Sequence, residues 1–247
     1  MEERPHALLL KFPGTNCDEE TARALEIVGF STKVVPITQI DRGQLAGADL
    51  VVLSGGFSYG DYVMAGRLAQ LVTEQRLGDA LKKFRDDGGY LLGICNGFQI
   101  LTKLGLLPPG SLIHNESNRF QCQWSGLERR SGASNPFLSL LPQRFEFPVA
   151  HAEGRFVTET PEAAELYKVQ GLAALTYTDN INGSSAQIAG LQDSSGRVLG
   201  LMPHPERFMF RENHYDPDWS GDENWGWGWF FFRSIYEEIA SNEPAVV

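Results

Sequence analysis

Over its first hundred residues the chain alternates short, uninterrupted apolar runs with segments whose apolar residues recur at helical spacing. The runs at 7–11, 33–37, 50–53 and 90–94 have strand length, whereas 18–28 carries Ala22, Leu25 and Val28 on one helical face and stops at Gly29. Leu50-Val51-Val52-Leu53 has no polar alternation, which is the pattern of a strand covered on both faces and so of a parallel sheet. A helix is expected over 67–85 from Leu68, Leu71, Val72, Leu81 and Phe84, and another directly after residue 95 from Phe98, Leu101 and Leu104. This order predicts an α/β fold, a doubly wound and mostly parallel central sheet flanked by helices, with ligands bound where its strands end.

The second half changes character. From 111 to 202 the pattern is short strands and turns, including 145–149, 172–177 and a hairpin over 187–202 that turns at Asp193-Ser194-Ser195-Gly196. An added antiparallel β region beside the first layer is expected. The aromatic tail Trp225-Gly226-Trp227-Gly228-Trp229-Phe230-Phe231-Phe232 leads into a helix near 231–239, read as a packed closing helix. At this length one domain over 1–247 is expected.

The chemistry centres on Gly93-Ile94-Cys95-Asn96-Gly97, where a strand pattern stops at a cysteine between two glycines and a helical pattern begins. That is the pattern of a nucleophile elbow, with small neighbours where strand and helix backbones approach and with helix amide dipoles aimed at the nucleophile. A buried, inert core cysteine has the same local signature. Met202-Pro203-His204-Pro205-Glu206 supplies what a thiol nucleophile lacks. Its prolines favour an extended backbone, which projects His204 and Glu206 to one side so that a carboxylate can orient an imidazole. Alone, the segment also reads as a turn with two solvated polar residues. Together with the elbow and a glycine-rich loop at 54–61, it reads as nucleophile, base and orienting acid.

Charge and composition narrow the partners. Net charge is −10 and the basic residues are dispersed, which argues against nucleic acid. The start lacks a leader pattern and no apolar run is long enough to span a membrane, so a cytoplasmic chain is expected. Cys17, Cys95 and Cys122 are an odd set for a disulfide scaffold, and no metal-ligand spacing appears. Gly55-Gly56 lacks the lysine of a phosphate loop, so no nucleotide site is expected in this chain. His114–Arg119 and His151–Arg155 are polar clusters compatible with ordinary loop surface, and His6 and His214 are assigned to surface or packing.

Gly-Ile-Cys-Asn-Gly-Phe-Gln at 93–99 and Pro-His-Pro-Glu at 203–206 resemble the class I glutamine amidotransferases. Further stretches are similar to the branch of that family that serves a synthetase of purine biosynthesis: 11–18, 55–61, 114–117, 148–151 and 179–184. The resemblance spans almost the whole chain. It implies Cys95 as nucleophile toward the carboxamide of L-glutamine, His204 as proton carrier, Glu206 as its orienting acid, the amides of Gly56 and Asn96 as oxyanion hole, and Gln99 as a substrate-positioning residue. It also implies a larger synthetase partner that uses ATP and Mg²⁺ on formylglycinamide ribonucleotide, a small bridging subunit, and no cofactor or metal in this chain. Two features depart from the pattern or fall outside it: Ala152 stands where the family leads one to expect glycine, and the tryptophan-rich tail matches no motif. Thiol hydrolases on a similar elbow place histidine directly after the cysteine, where this chain has Asn96, and a regulatory relative would most often lack a triad member.

Overall fold

A computed structural model of the chain describes residues 4–130 and 135–242; the start of the chain at 1–3, from which no leader is expected, lies outside them. In chain order the main elements are β1 (His6–Lys11), α1 (Asp18–Val28), β2 (Ser31–Pro36), α2 (Arg42–Ala46), β3 (Leu50–Leu53), α3 (Arg67–Leu77), α4 (Ala80–Asp86), β4 (Tyr90–Ile94) and α5 (Asn96–Lys103). They continue with β5 (Ser111–Ile113), β6 (Gln121–Arg129), β7 (Arg144–His151), β8 (Arg155–Val157), α6 (Pro161–Val169), β9 (Ala173–Tyr177), β10 (Ile188–Gln192), β11 (Val198–Leu201) and α7 (Trp227–Asn242).

Nine strands form one sheet in the order β2-β1-β3-β4-β11-β10-β9-β6-β7, and β5 with β8 makes a separate ribbon. The half from β2 to β11 is parallel, as the apolar runs predict, and every residue of β3, β4 and β11 is buried. From β11 outward each pairing is antiparallel. The β region of the second half therefore continues the first sheet instead of lying beside it as another layer.

The chain leaves β1 toward β2 on one side and later runs from β3 to β4 on the other. Right-handed crossovers then put α1 on one face and α3 with α5 on the opposite face, with the topological switch between β1 and β3. α7 packs on α1, and Phe231 and Phe232 are fully buried, so the aromatic tail is a packed closing helix that begins earlier than 231. The helix expected over 67–85 is two helices: Gly78 adopts φ 53 and ends α3.

Register sets the site. Leu10, Leu53, Gly93 and Gly200 lie opposite one another across β1, β3, β4 and β11. The loops that follow these strands, which carry residues 13–17, 54–61, 95 and 202–206, therefore leave from one edge of the sheet.

Candidate active site

Cys95 ends β4 and caps α5 with φ 51 and ψ −105, a conformation that costs a non-glycine residue energy and persists only where its surroundings impose it. The imposition is visible in the packing. A Cβ on Gly97 would sit 1.8 Å from the carbonyl oxygen of Leu53, and one on Gly93 would sit 2.7 Å from the Gly97 carbonyl. Strand and helix are thus in backbone contact, as an elbow requires. The Cys95 side chain is buried, and its Sγ lies 3.8 Å from the carbonyl oxygen of Ala150 on β7.

His204 and Glu206 meet through a hydrogen bond of 2.6 Å between Nδ1 and Oε1, and both side chains are buried. The backbone between them differs from the extended segment expected: Pro205–Arg207 forms a 3₁₀ turn, with Pro205 supplying its helical φ at the first position. The two side chains still converge because a tight turn brings positions two apart together as effectively as a strand does. Burial disfavours an imidazolium at His204, but the carboxylate of Glu206, followed by the sulfur of Cys95, overrides it and raises the histidine above its ordinary range. Nε2 of His204 has no hydrogen-bond partner among the described residues.

Gly55 locates the convergence. A side chain there would meet His204 Cε1 at 2.9 Å, Cys17 Sγ at 3.2 Å and Cys95 Cβ at 3.4 Å. The loop after β1 brings in Cys17, and Arg207 Nη2 donates to its sulfur at 3.3 Å. Burial raises the Cys17 thiol well above the usual range, so it stays protonated. Gly56, at φ 137, pairs with Thr15 across the two loops and has no room for a Cβ beside the Asn16 backbone. The amide of Asn96 begins α5 and so has no partner within the helix.

The Asn96 side chain ties the loops together: Oδ1 accepts from Ser58 N, while Nδ2 donates to Asp61 Oδ1 at 3.3 Å and to Gln99 Oε1 at 2.8 Å. Gln99 Nε2 donates to the carbonyl of Glu153 at 2.6 Å, which leaves one N–H and one lone pair of that amide for a ligand. Burial, then the neighbouring Glu153 carboxylate, push Asp61 up to about 6, against the hydrogen bonds from Gly66 and Asn96. Asp61, Gln99 and Glu153 line a cavity of about 330 Å³ together with Cys95, His151 and His204. His151 is buried on β7, contrary to a loop-surface reading. Only tertiary pairing could reveal it, since its local sequence reads as a polar turn. Ala152 has no positive φ, so the backbone there does not require glycine. A larger hollow of about 1120 Å³ lies at the opposite edge of the sheet beside Asp49 and Tyr90, and neither cysteine nor histidine lines it.

The pattern of the CobB/CobQ-like glutamine amidotransferase domain matches residues 4–236. The chain belongs to that family. Among curated relatives of this amidotransferase, the phosphoribosylformylglycinamidine synthase subunit PurQ of Thermus thermophilus is 42% identical over 208 residues, 81% of this chain and 88% of that one. The same subunit of a Synechococcus species is 40% identical over 236 residues, 94% of this chain and 96% of that one. Among solved structures, PurLQS of Thermotoga maritima has a chain that superposes with a TM-score of 0.78 at 33% identity, covering 96% of this chain and all of that one. No helix among the described residues is long and apolar enough to cross a membrane.

Proposed function

We infer that this chain is the glutaminase component of a phosphoribosylformylglycinamidine synthase. It hydrolyses L-glutamine to glutamate and ammonia through a thioester on Cys95, and the ammonia serves a synthetase subunit in the conversion of formylglycinamide to formylglycinamidine ribonucleotide in purine biosynthesis. ATP and Mg²⁺ act on that partner, and a small third subunit bridges the assembly. The cytoplasm is where such an assembly works.

The observation that supports this reading most is the meeting, at one sheet edge, of a cysteine on a strained elbow with a buried histidine and carboxylate 2.6 Å apart. The Cys95 thiolate attacks the side-chain carbonyl carbon of glutamine, and the amides of Gly56 and Asn96 receive the oxyanion. His204, held as imidazolium by Glu206, gives its proton to the nitrogen as the C–N bond breaks, and Gln99 holds the substrate. Neutral His204 then takes a proton from water as the water attacks the thioester. Glutamate leaves and the thiolate is restored. Ammonia is a nucleophile only when unprotonated, so it must pass to the synthetase through protein, not through bulk water. The test is Cys95→Ala in the assembled complex: glutamine-dependent synthesis is expected to vanish while synthesis from high ammonium persists. Glutamine turnover that survives the substitution overturns the reading.

A further inference from the structure

His151 is 3% exposed, lines the same cavity as Cys95 and His204, and has a ring nitrogen without a partner among the described residues. Its tautomer follows from its neighbour. Asn115 Nδ2 donates to the carbonyls of Arg119 at 2.9 Å and of His151 at 2.8 Å, which fixes which end of that amide is oxygen. Asn115 Oδ1 accepts from Gly154 N at 3.1 Å and stands 3.0 Å from His151 Nδ1. An oxygen acceptor requires a donor opposite, so Nδ1 carries the hydrogen. Nε2 is therefore a bare lone pair, directed away from Asn115 and buried beside the reacting groups.

A buried acceptor without a donor costs free energy unless a ligand supplies one. Resting on the glutaminase reading above, glutamine brings such a donor. Its carboxamide nitrogen carries two N–H groups, and that nitrogen must face His204 to receive a proton. It receives that proton on its lone pair, so its N–H groups point away from His204 and need acceptors on the cavity wall. We propose that His151 is a further catalytic residue: Nε2 accepts a hydrogen bond from the side-chain nitrogen of glutamine and holds it toward His204 while the C–N bond breaks.

In that step the Cys95 sulfur bonds to carbon, the C–N bond breaks with its electron pair going to nitrogen, and the proton comes from His204. His151 neither gains nor loses a proton. Burial, reinforced by the positive charge of His204, lowers its basicity to about 4, so it stays neutral in the working range and has no proton to pass to departing ammonia. The two imidazoles thus divide the work: one donates and the other only accepts.

A leaving group without N–H separates this role from a structural one. In the assembled complex, glutamate release is measured from glutamine and from the γ-methyl ester of glutamate for wild type, His151→Asn and His151→Gln. Asparagine keeps an N–H for Asn115 and removes the Nε2 acceptor, whereas glutamine can present an oxygen near the position of Nε2. For His151→Asn, kcat/KM for glutamine is expected to fall about tenfold or more, as for loss of one hydrogen bond to a reacting group, with ester turnover within about twofold of wild type. His151→Gln is expected to keep the ratio of glutamine to ester turnover near wild type. Equal losses on both substrates in His151→Asn, no loss on glutamine, or a ratio in His151→Gln that falls as far as in His151→Asn would each overturn the proposal. Cys95→Ala run beside them distinguishes the two readings: survival of turnover there refutes the nucleophile assignment itself.

Discussion

Gly97→Ala perturbs the elbow by a single methyl group. The new Cβ would lie 1.8 Å from the Leu53 carbonyl oxygen and 2.6 Å from its carbon, both backbone atoms that no rotamer change can move. Restoring an ordinary contact requires α5 to back away from β3 by roughly 1.5 Å. Overpacking of this kind costs about 1–3 kcal/mol of folding stability. It also carries with it the Asn96 amide, the proposed oxyanion donor, and a displacement of about 1 Å at such a donor costs on the order of a hundredfold in turnover. Urea unfolding reports the first effect and glutamine hydrolysis by the assembled complex the second. Gly47→Ala is the control: the nearest atom to its Cβ is 3.7 Å away and its φ is −92, so stability is expected to stay within about 0.5 kcal/mol of wild type. A Gly97→Ala protein with the stability and turnover of wild type would refute the claim that strand and helix touch there.

Glu206→Gln keeps a hydrogen-bond acceptor for His204 Nδ1 but removes the charge that supports the imidazolium. The histidine is expected to become less basic and less firmly oriented, with glutamine turnover down roughly tenfold or more; steady-state rates near neutral pH check it, and an unchanged kcat contradicts it. The buried neutral His151 predicts a pH dependence of stability. Its folded value of about 4 lies below the ordinary 6.5, so the unfolded chain binds the extra proton and stability is lost as pH falls from about 6.5 to 4. That contribution amounts to about 3 kcal/mol, and denaturant titrations across this range should show a shallower decline for His151→Asn than for wild type. Parallel slopes would contradict it.

Much of the frame was legible because local pattern reports local burial. Leu50–Leu53 declares a strand covered on both faces, and the Asp193–Gly196 turn declares the β10–β11 hairpin. The elbow was legible for a similar reason: Gly93 is required by its contact with Gly97 on the helix that follows directly. Departures arise where distant segments decide. Gly78 breaks an otherwise helical run because its φ of 53 suits a helix end, which apolar spacing does not record. Pro205 suggests an extended backbone, yet its fixed φ serves a 3₁₀ turn equally well. Cys17 and His151 reach the cavity through strand register and through β7 crossing over it, as when His204 N donates to the Pro148 carbonyl at 2.8 Å. Both fall in stretches that carry the family resemblance, at 11–18 and 148–151, but their neighbours in sequence do not show that they line the cavity. The family resemblance selected Cys95, His204, Glu206, Gly56, Asn96 and Gln99, and all six lie around or beside one cavity.

The proposed mechanism turns on the sulfur of residue 95 carrying the glutamyl group. Acid quench of the assembled complex during turnover of glutamine, followed by peptide mass spectrometry, tests it most directly. A glutamyl adduct confined to the peptide containing Cys95 is the expected result. An adduct on Cys17 or Cys122, or steady turnover with Cys95 unmodified at every quench time, would contradict it.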